Sequence, residues 1–228
     1  MGTVTLAMVH IGVDIGQKRD PTAIAVCEVT SDGDGEEVYT TRYLQRLPLG
    51  TPYPKVAERI AEIVENTRRR IWEDEIKQGV YQSSPVVDAQ VFVDATGVGK
   101  PVVDVLRETG LEIVECYFTH GDRRTKEQGR VTVGKAWLVS RLQALLQTSR
   151  LVLPNGSPEA SALMQELLDY EIRVDQNAND KYGAFKVGSH DDLVTAVGLA
   201  CQEESNMSLW LSQLELDRYI ANMQGAWP

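Results

Sequence analysis

The sequence predicts a mixed α/β domain in which three antiparallel strands precede a set of parallel ones, with helices flanking the sheet and a β-hairpin added late in the chain. Three observations carry that prediction. Two apolar runs, residues 8–15 and 22–30, are joined only by residues 16–21, a link that suits an antiparallel turn and is too short for a parallel crossover. Strand, helix and strand follow one another between residues 89 and 118 at the spacing of a parallel crossover unit. Between the two blocks lies a stretch whose apolar residues Val56, Ile60, Ile63, Val64 and Ile71 form one helical stripe.

Taken in order, the first run carries a polar break at Asp14, and the second ends at the acidic, glycine-bearing turn 31–37. Residues 38–47 make the third strand. Proline punctuation at 52 and 54 precedes the long helix, whose exit loop is 78–85. The next strand, 89–94, is nearly all apolar and stops at Asp94, after which a glycine turn leads to a helix opened by Pro101 and closed by Gly110. Residues 111–118 form a strand and 119–129 a loop. An amphipathic helix carrying Val133, Trp137, Leu142, Leu145 and Leu146 follows, then a short strand at 151–153 and a helix started by Ser157-Pro158. Segments 169–175 and 181–187 flank a polar tip and read as the β-hairpin. Ser189 is expected to cap a helix running to about Glu203, with Leu193, Ala196, Val197 and Ala200 on its buried face. Residues 1–205 thus form one domain, and 206–228 a tail whose Trp210, Leu211, Leu214 and Leu216 suit a short docking helix.

Composition narrows the class. With 43% hydrophobic and 25% charged residues in 228, the chain is neither disordered nor fibrous, and no run approaches the roughly 18 unbroken apolar residues of a membrane span. The first eleven residues lack a basic region before their apolar run, so a secretory signal is not expected and a cytoplasmic location is. Cys27, Cys116 and Cys201 are odd in number and far apart, with only His10, His120 and His190 to assist, which speaks against a disulfide framework or a zinc site. The net charge of −10 argues against coating nucleic acid by bulk positive potential. It leaves room for a local basic groove: residues 122–150 hold seven basic side chains against two acidic ones.

Four carboxylates stand out by position. Asp14 and Asp94 end buried-looking strands, and Asp191 and Asp192 sit in the first turn of an otherwise apolar helix. A buried carboxylate without a partner is costly, so such groups call for a cation. If the first strand is central and the fourth lies beside it, Asp14 and Asp94 share the sheet edge where ligands collect in open α/β sheets. The late helix brings the other pair over that edge. Three or four converging carboxylates make an oxygen-rich site suited to magnesium or manganese. In outline this is a two-metal phosphodiester hydrolysis site, with ions roughly 3.5–4 Å apart. Helical phase puts Asp192 nearer the apolar stripe than Asp191, which favours Asp192 as direct ligand and Asp191 as second ligand or supporting residue.

Each acid also has a structural reading: turn chemistry for Asp14, capping of the next turn for Asp94, and a capping box with favourable dipole charges for Asp191 and Asp192. Residues 94–101 have an acid where a phosphate-binding loop needs its first glycine and Pro101 where it needs a hydroxyl, so that motif is absent. The cysteines read as core fillers. His190 either orients a water or is a satisfied structural histidine.

Three segments now carry a resemblance. Residues 12–26 (Gly-Val-Asp-Ile-Gly-Gln-Lys-Arg-Asp-Pro-Thr-Ala-Ile-Ala-Val), 93–99 (Val-Asp-Ala-Thr-Gly-Val-Gly) and 189–200 (Ser-His-Asp-Asp-Leu-Val-Thr-Ala-Val-Gly-Leu-Ala) resemble, in order and spacing, the three acidic motifs of the nuclease domain of tailed-phage terminase large subunits. Val133-Gly-Lys135 ahead of a leucine-rich helix and Arg150-Leu-Val-Leu-Pro154 resemble that family as well. The likeness spans roughly residues 9–202. It implies a ribonuclease H-like fold and cleavage of double-stranded viral DNA concatemers during genome packaging. It further implies two Mg²⁺ or Mn²⁺ ions held by Asp14, Asp94 and Asp192 with Asp191 assisting, and 5′-phosphate and 3′-hydroxyl ends. Family members normally carry an ATP-hydrolysing motor before the nuclease, whereas about eight residues precede the first strand here. The resemblance therefore implies a motor supplied in cis by a longer protein or in trans, with a small terminase subunit and a portal as further partners, in the host cytoplasm.

For DNA contact the candidates are Arg123, Arg124, Lys126, Arg130 and Lys135 from the basic stretch, with Lys186 beside the hairpin. Each is equally readable as part of a solvated face. Lys135 or Lys186 can offset charge developing on a phosphate, and the hairpin can regulate access to the ions. Three rivals remain open at this point: a Holliday-junction resolvase-like nuclease, a catalytically silent DNA- or capsid-docking module, and one lobe of an actin- or sugar-kinase-type ATPase.

Overall fold

The computed structural model describes residues 8–16, 20–31, 35–77, 89–97, 99–174, 180–183 and 190–203. In chain order the elements are β1 (Met8–Asp14), β2 (Ala23–Ser31), β3 (Glu37–Arg46), α1 (Tyr53–Lys77), β4 (Ala89–Asp94), α2 (Gly99–Glu108), β5 (Ile113–Thr119), β6 (Arg124–Glu127), β7 (Arg130–Gly134), α3 (Lys135–Gln147), β8 (Leu151–Val152), α4 (Pro158–Asp169), β9 (Glu171–Val174), β10 (Asp180–Gly183) and α5 (Asp192–Ala200). Eight strands form one sheet in the order β6-β7-β5-β4-β1-β2-β3-β8, and β9 with β10 forms a separate hairpin. The three-strand antiparallel opening is present, and β1, β4, β5 and β7 then run parallel to one another. This is the expected ribonuclease H-like arrangement with an added hairpin. No helix among the described residues is long and apolar enough to cross a membrane.

Strand alternation sorts the core into two layers. On one face Val9, Ile11 and Val13 of β1 and Ile24 and Val26 of β2 meet the α1 stripe, Val56, Ile60, Ile63 and Val64, and the α2 residues Val102, Val103 and Leu106. On the other face Met8, Ala23, Ala25 and Cys27 meet α5, and Phe92, Cys116 and Val133 meet Leu138 and Leu199. All nine residues of α5 are buried, so it is a central helix and not an amphipathic cover. Gly12 permits this: a Cβ there would stand 2.0 Å from the Ala196 carbonyl oxygen, so any side chain would lift α5 off β1. His10, buried beneath the same helix, donates from Nδ1 to the Ala200 carbonyl at 2.9 Å, and burial pushes its pKa down to about 4. The three cysteines are buried and free, as fillers of this core.

The structure corrects two elements. Residues 119–129 are not a loop: Arg124–Glu127 and Arg130–Gly134 form a hairpin at the sheet edge, placing Val133 on a strand and starting the helix at Lys135. Its tip, Gln128 and Gly129, has φ of 49° and 77°, the left-handed pair that matches a two-residue turn to strand twist. The final helix begins at Asp192 with Asp191 as N-cap residue, two positions later than the expected cap at Ser189, which lies outside the described residues. The tail 206–228 and Lys186 also lie outside them.

Candidate functional site

The register of the sheet builds the site. Asp14 is directly opposite Ala23, and Ala23 is directly opposite Arg46. On the other side Val13 is level with Val93, so Asp14 and Asp94 end adjacent parallel strands. Asp14 alternates with Met8, His10 and Gly12 onto the α5 face, and Asp94 follows Phe92 onto the same face. One row across four strands therefore reads Asp94, Asp14, Ala23, Arg46, and the first turn of α5 lies over it. The small Ala23 side chain leaves space between the acids and Arg46.

Burial, then the Asp94 carboxylate, push the Asp14 carboxyl well above the ordinary range; Lys135 opposes this, and Asp191 and then Asp192 add to it. Asp94 is raised by burial against the pull of Thr96 and Lys135. One Asp94 oxygen accepts from the Thr96 backbone N–H at 2.8 Å, so the turn-capping reading of this residue holds for Oδ1. Asp191 faces Lys135, whose Nζ lies 3.6 Å from its carboxylate and 5.6 Å over the Phe118 ring. Asp192 is almost fully buried and taken up by Arg46, which donates from Nε to Oδ2 at 2.7 Å and from Nη2 to Oδ1 at 3.1 Å. His190 Nδ1, a buried atom without a hydrogen bond, stands 4.0 Å from Asp192 and 3.5 Å from Asp20.

As the side chains stand, no three His, Cys, Asp or Glu among the described residues are close enough to hold a metal ion. Arg46 draws Asp192 one way and Lys135 draws Asp191 another, and Asp14 and Asp94 are left facing each other. The donor set nevertheless fits a divalent cation. It is all carboxylate, and the acids Asp14, Asp94, Asp191, Asp192 and Glu166 outnumber the cations Arg46 and Lys135.

Two residues of this neighbourhood were not legible beforehand. Arg46 also donates to Glu166 of α4, and the other Glu166 oxygen accepts from the Val194 backbone N–H at 3.0 Å. Glu166 was detectable in principle: it is an acid on the buried stripe Ala160, Leu163, Glu166, where periodicity asks for an apolar residue. Arg46 carries no comparable mark.

The DNA-contact candidates do not share one free surface. Arg124 is bound to Gln202 and Glu203, and Lys126 to Glu203. Arg130 lies over Tyr117 and 3.8 Å from Glu115, at the far side of the sheet edge. Arg123 is exposed, with its carbonyl accepting from Gly134. Lys135 alone of the described set touches the acidic cluster.

This architecture is similar in fold to solved large-terminase nuclease domains. Solved structures of the large terminase nuclease from thermophilic phage G20c, one with bound cobalt and one with bound magnesium, match with TM-scores of 0.57 and 0.58 at 20% identity, over 86% of this chain and 81% and 82% of theirs. The nuclease domain of the large terminase of Thermus phage P74-26 matches with a TM-score of 0.55 at 17% identity, over 85% of this chain and 78% of that one. The large terminase of bacteriophage HK97 matches at 0.50 and 14% identity, over 86% of this chain and 39% of that one. At these identities the shared property is the fold. No family model and no curated protein matches the chain.

Proposed function

We propose that this chain is a divalent-metal-dependent DNA endonuclease, the nuclease of a phage packaging terminase that cuts double-stranded concatemers by two-metal phosphodiester hydrolysis. The observation that carries this reading is the meeting of Asp14 and Asp94 at adjacent strand ends, with Asp191 near enough to act on Asp14 and more acids than cations among the described residues around them. The likeness to nuclease structures with cobalt or magnesium bound supports it. Asp14, Asp94 and Asp191 would hold Mg²⁺ or Mn²⁺, with Asp192 kept on Arg46. This choice exchanges the two neighbouring acids relative to the ranking from helical phase.

A cation held by Asp14, Asp94 and Asp191 would supply charge neutralisation at the scissile phosphate and activation of the attacking water. Asp14 and Asp94, fixed on the sheet, give the site rigid geometry, and Asp191 closes it from the helix above. Lys135, with Nζ 3.6 Å from the Asp191 carboxylate, is placed to offset charge developing on a phosphate oxygen. Arg123 contributes backbone contact. A motor in cis or in trans, a small subunit and a portal complete the packaging assembly in the host cytoplasm.

The test is a gel assay of the purified chain on linear and supercoiled duplex with Mg²⁺, Mn²⁺ or chelator. Cleavage with metal, none with chelator and none by Asp14→Asn or Asp94→Asn is the expected result. Undiminished cutting by both variants would refute the site.

A further inference from the structure

Helix α5 begins with an exchange of roles. Its N-cap residue is Asp191, a residue type that ordinarily accepts a hydrogen bond from the backbone N–H of the third helical residue. Here the Asp191 side chain makes no capping bond. The third helical residue is Val194, and its N–H donates instead to Glu166 of α4, at 3.0 Å. Glu166 is 5% exposed and shares Arg46 with Asp192, so one guanidinium from the end of β3 ties α4 and α5 together beside the acidic row. The obligatory N–H of the helix is thereby satisfied from another element, and the Asp191 carboxylate is left toward Lys135 and Asp14.

We propose that Glu166 and Arg46 are positioning residues: Glu166 caps α5 in trans, and Arg46 holds Glu166 and Asp192 in place, so that Asp191 is released from capping to serve as the third carboxylate of the cation site. The proposal rests on the reading of Asp14, Asp94 and Asp191 as the metal-holding set. The energetic logic is simple. An aspartate that caps its own helix spends an oxygen and its orientation on the backbone, and a neighbour that assumes the cap restores both. Arg46 also meets part of the charge of the buried pair Glu166 and Asp192, which would otherwise repel.

Two measurements on the purified chain test it. The first is thermal melting with chelator present. Asp191→Ala should melt within about 1 °C of the parent, because it removes no cap; a drop of about 2–4 °C, the size expected for a lost N-cap in a chain of this length, overturns the proposal. The second is calorimetric titration with Mn²⁺. Glu166→Ala should bind Mn²⁺ at least about tenfold more weakly, the usual scale for loss of a supporting partner. Glu166→Gln, which keeps an oxygen for the Val194 N–H, should recover most of that loss. A folded Glu166→Ala chain with parental affinity overturns the proposal, as does a Gln variant no better than Ala. Should Glu166→Ala fail to fold, the Asp191→Ala melt decides. If the parent itself binds no Mn²⁺, the metal reading falls, while the melt still judges the exchange of caps.

Discussion

Two buried carboxylate sites lie a strand apart in this sheet and are built on opposite terms. At Asp14 the neighbours are more acids, and burial together with Asp94 drives the carboxyl upward. At Glu115, on β5, the neighbours are Lys100, Arg107, Arg130 and Tyr117. Burial alone would raise Glu115, but hydrogen bonds from Tyr117, Lys100 and Arg107 outweigh it and bring the pKa down to about 2. The difference separates a carboxylate that the chain has balanced for itself from one left for something else to balance. The first is a fastener between α2, β5 and β7; the second is the one that the proposed function assigns to an exogenous cation.

The comparison breaks most visibly by neutralising each side. Asp14→Asn should abolish cleavage in the gel assay while raising the melting temperature in chelator, because it removes a desolvated charge from among like charges. A clear fall in melting temperature would make Asp14 a structural acid after all. Glu115→Ala should do the reverse: it loses about 2 kcal/mol, a drop of about 4–8 °C in Tm, and retains cleavage at permissive temperature.

Acid titration sharpens the contrast. The folded pKa of Glu115 lies below its ordinary value of 4.5, so its stabilisation is complete above that value and fades as pH falls toward 2. The stability gap between the parent and Glu115→Gln, read from urea melts, should hold steady above about pH 5 and close below pH 4. A gap that widens with acid would reverse the assignment. The smallest effect is expected for Arg130→Ala: its guanidinium is 62% exposed and 3.8 Å from Glu115, so Tm should move by no more than about 2 °C. A larger fall would show that the ring of cations is not redundant.

Much of this fold could be read from sequence where one periodicity dominated. The six-residue link 16–21 between the first two apolar runs forced a hairpin, and the apolar run ending at Asp94 flanked by helix signals forced a parallel crossover. The edge hairpin β6–β7 was missed because its strand Arg124–Glu127 is polar throughout, and its turn uses Gln-Gly in place of the stronger Asn-Gly. The acids Asp14 and Asp94 were legible because each ends an apolar strand. The relative placement of Asp191 and Asp192 was not, since it depends on Arg46 and Glu166, which come from β3 and α4 and meet α5 only in three dimensions. Helical phase alone saw a buried face at Asp192, and buried it is, but against a guanidinium.

The hydrogen bond from His10 to Ala200 joins positions 190 apart in sequence, and the helix it secures is the one that brings Asp191. β1 and β4 leave a ribosome before α5 does, and until α5 follows, the row Asp94, Asp14, Ala23, Arg46 has no helix over it. Contacts of such separation form slowly. On the function proposed above, the acid site is complete only once β1 and α5 have found each other.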